Sequence, residues 1–285
     1  MRLVHLTDIH VQPERDAFEG LVRAFEVAFA LDPTPEALLI GGDTVMNTVS
    51  ADWDRASQLW ELWNRARSQF PAIPTFACLG NQDVWGWNQK ASGCTGSEPM
   101  FGKRLAMDRL GMSSSYGAYR LGPWRILVLD SIQRGGKHGF EPMLGAEQWA
   151  WLENELSADR LTPTLVLSHV SIVPGPIDLF AMNLMGPNEK NIWPLPRHQV
   201  HVDSYRLHRA LSAAGNVRLC LTGHTHASQR IDLDGVTYFS GPSVSGAWWR
   251  GEFLGNPAGL TVVDLSDDGE FRLRVVACDQ ESIKD

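Results

Sequence analysis

Reactive polar side chains follow five short apolar segments of this chain, and this placement constrains the fold more than any other feature. The segments and their polar groups are residues 3–7 with Asp8 and His10, 37–40 with Asp43, 75–79 with Asn81 and Gln82, 164–167 with His169, and 217–221 with His224 and His226. Each segment has the length and apolar character of a buried strand. Open α/β sheets bind their ligands at the carboxyl ends of their strands. The pattern therefore predicts one site assembled from five strand ends.

Amphipathic segments between the apolar ones predict helices packed on sheets. Helices are expected at residues 16–31, 51–69, 146–157 and 203–214. The second of these carries Trp53, Trp60 and Trp63 at helical spacing, which predicts a stripe that faces the core. The β-α-β-α-β order of the first half predicts parallel strands joined by right-handed crossovers. Turn sequences predict hairpins at residues 116–129, 230–240 and 259–276.

No feature of the sequence marks a boundary between domains. The chain has 285 residues, a length that one large α/β domain can reach, and it has no internal repeat and no linker rich in Pro, Gly or Ser. Two loop-rich insertions, near residues 85–102 and 173–202, are longer than ordinary connections. We therefore expect a single domain over residues 1–285 in which these two insertions are functional loops.

Composition and charge exclude several classes of protein. The chain is 44% hydrophobic and 20% charged, as ordinary globular proteins are, and its net charge of -8 argues against general nucleic-acid binding. No apolar stretch reaches the roughly 18 residues of a membrane span. The first residues lack the pattern of a signal peptide. A cytoplasmic protein without a membrane partner is expected, and the sequence indicates no oligomeric state.

The four cysteines are expected to be reduced. Cys78 and Cys220 lie inside apolar segments, where a thiol behaves as a small hydrophobic group. Cys94 and Cys278 complete the set, and no two cysteines form a C-x-x-C pair, which argues against a cysteine zinc site.

The polar groups at the strand ends indicate a divalent metal centre. Aspartate, histidine and asparagine are ligands for hard or borderline divalent metals, and the set suits Mn, Fe and Zn alike. Alternate residues of an extended strand point to the same side. We therefore expect Asp8 and His10 to bind one ion together, and His224 and His226 to do the same.

The ordered motifs resemble those of the calcineurin-like metallophosphoesterase superfamily. The pattern of that family is D-x-H, G-D, G-N-H-D/E, a single H, and G-H-x-H. The matching segments here are Asp8-Ile9-His10, Gly42-Asp43, Gly80-Asn81-Gln82-Asp83, His169 and Gly223-His224-Thr225-His226. The resemblance implies an α/β fold in which a two-sheet β-sandwich is flanked by helices, giving four αββα layers.

The resemblance also implies two divalent metal ions. One ion would be held by Asp8, His10, Asp43 and His226, and the other by Asp43, Asn81, His169 and His224, with Asp43 as the bridge. It implies hydrolysis of a phosphate ester by attack of a metal-bridging hydroxide, with catalytic roles at position 82 and for His169 and His224. Met46 stands where purple acid phosphatases carry a tyrosine ligand, which disfavours a purple iron centre.

Gln82 departs from the family pattern, which has a histidine there. That histidine is credited with protonating or stabilising the leaving oxygen, and glutamine cannot transfer a proton. Gln82 is therefore natural with another group as the acid, or engineered, or the mark of a protein that no longer catalyses. Three loop histidines are candidate substitutes, His138, His198 and His201.

The hypothesis that follows is a dinuclear phosphodiesterase acting on a small organic phosphate ester, similar to bacterial enzymes of the superfamily. The alternatives are a phosphomonoesterase with the same centre and a metal-binding scaffold protein with little activity. Asn81, Trp248 and Arg250 are the candidate substrate contacts, because the stretch at residues 243–253 is unusually aromatic for a loop. Arg134, Lys137 and Arg197 are further loop cations that can clamp a phosphate.

Overall fold

Thirteen strands and six α-helices make up the part of the chain that the computed structural model describes, residues 1–136, 138–173, 175 and 196–278. The strands are β1 Arg2–Leu6, β2 Ala37–Ile40, β3 Thr75–Ala77, β4 Gly117–Leu121, β5 Trp124–Val128, β6 Ile132–Arg134, β7 Phe140–Pro142, β8 Thr164–Leu167, β9 Val217–Thr222, β10 Gln229–Leu233, β11 Val236–Ser240, β12 Gly259–Leu265 and β13 Phe271–Ala277. The helices are α1 Ala17–Phe29, α2 Trp53–Arg67, α3 Gln89–Ser92, α4 Lys103–Arg109, α5 Ala146–Ala158 and α6 Ser204–Ala214. Short 3₁₀ turns lie at Thr48–Ser50 and Arg197–Gln199.

Two mixed sheets form the centre of the fold. The first has the order β13-β12-β1-β2-β3 and the second the order β10-β11-β9-β8-β5-β4. Strands β1, β2 and β3 are parallel, and the three expected hairpins, β4-β5, β10-β11 and β12-β13, are antiparallel, as predicted. Because β12 pairs with β1, the last described segment completes the sheet that the first segment begins.

Alternate side chains of the strands pack on opposite faces and so build three layers of core. Leu3 of β1 and Ile126 of β5 face each other between the two sheets. Val4 and its neighbours instead pack under α1 and α2, and Leu127 packs under α5 and α6. The order of layers is helix, sheet, sheet, helix, which confirms the predicted four-layer αββα fold.

Helix α2 shows how the tryptophan stripe is used. Its cap residue Asp52 accepts a hydrogen bond from the backbone N–H of Arg55 at 2.8 Å, which satisfies one free donor of the first turn. Trp60 and Trp63 are buried as predicted. Trp53 lies at the start of the helix and is 44% exposed. One side of its ring packs edge-on against Trp85 at 5.0 Å between ring centroids.

The first insertion differs from a simple loop. Residues 85–102 contain α3 and are closed by a bridge between Trp85 and Gly102. Most of the segment at residues 173–202 lies outside the described residues.

The small sheet of β6 and β7 was not predicted from the sequence, because its strands are only three residues long and carry too few side chains to show a period.

The cysteines and helices agree with the compositional expectations. Cys78, Cys94 and Cys220 are buried thiols outside any disulfide. Burial raises the pKa of the Cys220 thiol, which keeps it protonated. Among the described residues, no helix combines the length and the apolar character that a membrane crossing requires.

Trp60→Ala tests the packing of the outer helical layer. Trp60 is fully buried, so its removal should leave a cavity and lower the free energy of unfolding by about 3 to 5 kcal/mol, measured by urea denaturation. Trp53→Ala on the same helix is the matched control and should cost under about 1 kcal/mol. Equal losses at both positions would contradict the assignment of Trp60 to the core.

Candidate metal centre

The backbone at the strand ends turns sharply at the predicted ligands. Five of the predicted ligand residues have positive φ angles, namely Asp8 at 52°, His10 at 47°, Asp43 at 49°, His224 at 67° and His226 at 56°. A non-glycine residue in this left-handed region costs about 1 to 3 kcal/mol and persists only where the surroundings hold it. The chain therefore accepts strain to direct these side chains to one point.

The first cluster consists of Asp8, His10 and His226. The ligand atoms of these buried residues lie within 4.8 Å of one another. His10 Nε2 is 3.1 Å from His226 Nε2, and His226 Nε2 is 3.5 Å from Asp8 Oδ1. The three side chains come from the ends of β1 and β9, which belong to different sheets.

The second cluster consists of Asp43, His169 and His224, again with ligand atoms within 4.8 Å of one another. His169 Nε2 lies 3.2 Å from His224 Nδ1 and 3.5 Å from Asp43 Oδ2. Each side chain follows a different strand, β2, β8 or β9.

Asp43 joins the two clusters. Its Oδ2 atom is 3.5 Å from His169 Nε2 in the second cluster and 3.7 Å from His10 Nε2 in the first. A carboxylate in this position can share its oxygens between two neighbouring ions. This is the bridging position that the family resemblance implies for Asp43.

Backbone carbonyls fix the tautomers of three histidines. His169 Nδ1 lies 2.8 Å from the carbonyl of Gly41, His226 Nδ1 lies 2.6 Å from that of Gly246, and His224 Nε2 lies 3.0 Å from that of His198. A carbonyl oxygen only accepts, so each of these ring nitrogens donates its N–H. When the ring is neutral, its other nitrogen presents a lone pair to the cluster, as ligating histidines require.

Burial also prepares the histidines for metal binding. It lowers the pKa of His10 and of His224 to about 3, because a buried imidazolium is poorly solvated. Both rings are therefore neutral near pH 7. Burial acts in the same direction on His169, but Asp43 and Asp8 outweigh it and raise the pKa of His169 to about 9. A metal ion that binds below this pH must displace a proton from His169.

Asn81 presents its side-chain oxygen to the cavity at the metal centre. The side chain is buried, and its Oδ1 atom accepts no hydrogen bond from the described residues. A buried amide oxygen without a donor is costly, and a cation removes that cost. The two clusters, the shared carboxylate and this free oxygen fit a pair of divalent ions.

Interactions between loops hold the ligands in place. Asp83 is fully buried and accepts hydrogen bonds from the backbone N–H of Thr44 at 2.8 Å and of Gly80 at 2.9 Å, so it ties the loops after β2 and β3 together. Ser243 and Ser245 both donate to the carbonyl of Asp8 at 2.8 Å.

Trp249 is a supporting residue that sequence reasoning missed. Its Nε1 atom donates to the carbonyl of His10 at 3.0 Å, and its ring packs so closely on Gly20 that a Cβ there would clash. The aromatic stretch at residues 243–253 drew attention to this loop, but the sequence did not show which side chain supports the ligands.

A cavity of about 700 Å³ opens above the clusters. Its walls include Gln82, whose backbone N–H donates to Asp43 Oδ1 at 2.6 Å, and Trp248, whose ring centroid is 4.6 Å from that of His226. Position 82 therefore lies beside the ligands. Asn47, Asn88 and Gln199 also line the cavity, and the sequence carried no motif that marked them.

None of the candidate loop cations in the described residues lines this cavity. Arg250 is exposed and is not part of the cavity wall, so its role as a substrate contact stays a prediction. Arg134 donates to Gln89 at 3.1 Å, and Arg197 forms a 2.5 Å ion pair with Glu141. Lys137 lies outside the described residues.

One local expectation about the ligands was wrong. His224 and His226 lie in different clusters, as the family resemblance implies, and not in one cluster as the period of an extended strand suggests. Both residues have left-handed backbone angles, so the period of an extended strand does not apply to them. Asp8 and His10 do share a cluster, although they too are in left-handed turns.

The family comparison decides the identity of the fold. The family model for the calcineurin-like phosphoesterases matches residues 1–228, which include every candidate ligand. This chain belongs to the calcineurin-like phosphoesterase family. Membership of this family supports an activity of metal-dependent phosphoester hydrolysis. The two residue clusters are where the metals would bind. Comparison with curated protein sequences finds no match.

Solved structures of low sequence identity share the fold of this phosphoesterase. A dimetal phosphatase from Danio rerio has a TM-score of 0.66 at 11% identity, covering 98% of this chain and 96% of that one. GAP50, the anchor in the inner membrane complex of Plasmodium, has a TM-score of 0.59 at 14% identity, covering 100% of this chain and 87% of that one. At these identities the likeness shows the fold alone.

Metal content tests the shared carboxylate. Protein purified without chelator should contain close to two equivalents of transition metal, measured by elemental analysis, and Asp43→Ala should lose more than one of them, because both clusters use this side chain. Asp54→Ala on helix α2 is the matched control and should keep both. A metal-free protein that gains none on dialysis against Mn(II) or Zn(II) would contradict the assignment.

Metal binding should release a proton. Because the pKa of His169 is raised to about 9, its ring is protonated at pH 7.5 before an ion binds, and affinity should fall by up to about tenfold for each pH unit below 9. Calorimetric titration of metal-free protein in two buffers of different ionisation enthalpy measures the release. Affinity that does not change between pH 7 and pH 8.5, with no proton released, would contradict this account of His169.

Proposed function

We propose that this phosphoesterase is a dinuclear metal-dependent phosphodiesterase that hydrolyses a small organic phosphate ester. The observation that carries the proposal is the position of Asp43 Oδ2, between His169 Nε2 at 3.5 Å and His10 Nε2 at 3.7 Å. This carboxylate lines the cavity of about 700 Å³, which has room for a phosphate and both of its ester groups.

Two divalent ions bound side by side would polarise the phosphate oxygens and supply a water nucleophile of lowered pKa. The chain fixes the orientation of the side chains that would hold these ions. Asp43 is held by the N–H of Gln82, and the tautomers of His169, His224 and His226 are set by backbone carbonyls. Because these groups are fixed before substrate arrives, little reorganisation is needed during the reaction. The ions would be Mn, Fe or Zn, all of which accept this ligand set.

The cavity wall favours a diester over a monoester. Its described residues include the amides of Asn47, Asn88 and Gln199 and no lysine or arginine. A phosphomonoester carries up to two negative charges near neutral pH, and it gains more than a diester from cationic side chains. A diester with one charge is matched by the two ions and by neutral hydrogen-bonding groups.

Trp248 is the proposed contact for one ester group. Its ring lines the cavity, lies 4.6 Å from the ring of His226 and meets Phe253 edge-on at 5.7 Å. Trp248 has a φ of 54°, so its backbone is strained into this position. An apolar or planar substituent can pack on such a surface.

Buried thiols such as Cys78 suit the reducing cytoplasm, which we propose as the location.

The ester preference can be measured directly. With Mn(II) added, kcat/KM for bis(p-nitrophenyl) phosphate should exceed that for p-nitrophenyl phosphate by at least about tenfold, because the described wall has no lysine or arginine to offset the second charge of a monoester. Asp43→Ala should abolish both activities, and Asp54→Ala should leave both unchanged.

The other outcomes identify the competing hypotheses. Faster turnover of the monoester would show that the protein is a phosphomonoesterase. No turnover of either ester by protein with two bound metals would show that it is a metal-binding scaffold.

A further inference from the structure

Position 82 cannot provide the proton that a poor leaving group needs. The Gln82 backbone is fixed beside the metal ligands, since its N–H donates to Asp43 Oδ1 at 2.6 Å and its carbonyl accepts from Thr48 Oγ1 at 2.6 Å. Its side chain lines the cavity, but a neutral amide is too weak an acid to transfer a proton to a leaving oxygen. An ester with a basic leaving oxygen therefore requires another acid.

The cavity offers few alternatives. The titratable side chains among its described lining residues are His10, Asp43, His224, His226, His138 and His198. The first four are candidate metal ligands, so their reactive atoms face the clusters. Two imidazoles remain, and both come from loops at the cavity wall.

The third loop histidine is placed differently. His201 is only 2% exposed and is not part of the cavity wall. Its Nδ1 atom is 3.0 Å from Asp203 Oδ1, and its Nε2 atom faces Ser168 Oγ at 3.4 Å. Both ring nitrogens are therefore engaged inside the protein, and His201 cannot reach a substrate.

His138 and His198 form a pair of rings. Their centroids are 4.1 Å apart with 41° between the ring planes. The carbonyl of His198 accepts the Nε2–H of His224 at 3.0 Å, so this pair adjoins the second cluster. Phe140, two residues after His138, meets the ring of His224 edge-on at 6.0 Å, which anchors the same segment to the site.

Exposure distinguishes the two rings. His138 is exposed to solvent, whereas His198 is half-buried and its backbone is held by a metal ligand. An acid that works in every cycle must regain its proton from water, which the exposed ring does readily. His198 instead supports the ring of His138 from one side.

We propose that His138 is the general acid of this phosphoesterase, with His198 as its positioning residue, and the proposal rests on the proposed hydrolysis of a phosphoester. As water adds to phosphorus and releases a proton to solvent, the bond from phosphorus to the leaving oxygen breaks and its electron pair stays on that oxygen. The protonated ring of His138 donates its N–H proton to this oxygen. The products are an alcohol and a phosphate ester with one group fewer, and the neutral ring then takes up a proton from solvent.

The dependence of rate on the leaving group tests this role. The substrates are methyl aryl phosphates with 4-nitrophenol, 4-chlorophenol and phenol as leaving groups, measured on protein with its metals bound. His138→Asn should lower kcat for the phenyl ester by about 10²-fold, because general acid catalysis is typically worth that much or more. It should lower kcat for the 4-nitrophenyl ester by less than about threefold, because that oxygen departs as an anion. Metal content should not change.

Gln199→Ala is the matched control, because it removes a neighbouring polar side chain of the same wall but no acid. It should change the rates for all three esters by one common factor. Equal losses on all three esters for His138→Asn, or the same leaving-group dependence in Gln199→Ala, would overturn the role of His138 while the phosphoesterase activity stands. No turnover of any of these esters or of the corresponding aryl monoesters by wild-type protein with two bound metals would instead overturn the proposed function, and this role with it.

Discussion

The structure depends on the close approach of two carboxylates, Asp8 and Asp43, and four imidazoles. Asp8 and Asp43 are almost fully buried, and Asp43 Oδ2 lies within 3.7 Å of ring nitrogens from both clusters. Burying such groups is costly unless opposite charge compensates them. Divalent cations provide this compensation, and the lone oxygen of Asn81 points to the same need. The requirement to hold two cations therefore explains a centre that is otherwise unfavourable for the fold.

The two sheets make this centre possible. The residues of the two clusters follow strands β1, β2, β8 and β9, whose side chains are mostly buried, and left-handed backbone angles at residues such as Asp8 and Asp43 then redirect the side chain. Residues that are not ligands hold these strained turns in place. Asp83 ties two ligand loops together, and Trp249 closes on Gly20 and on the carbonyl of His10. The strained turns and their supports form one unit, so a change at Gly20 reaches the metal centre through Trp249.

This chain differs from the family pattern at the residue that would protonate the leaving oxygen. The backbone N–H of Gln82 holds Asp43, but its amide side chain cannot transfer a proton. The loop pair of His138 and His198 offers imidazole chemistry on the wall of the same cavity. Metal binding and proton supply are therefore separate features of this site, carried by different segments of the chain. Loops can change in this way because they lie outside the sheets that hold the ligands.

The sequence by itself predicted the strands of the two main sheets and the main helices, because apolar periodicity is a local pattern, and its motifs marked the residues that form the two clusters. It also marked position 82 as unusual. Only the tertiary structure decided that Trp248 faces the cavity while Arg250 does not, and that His201 is buried while His138 is exposed. These outcomes depend on backbone turns of one or two residues and on contacts between segments far apart in the chain. Local sequence patterns do not encode such contacts, since the packing of the two sheets sets them.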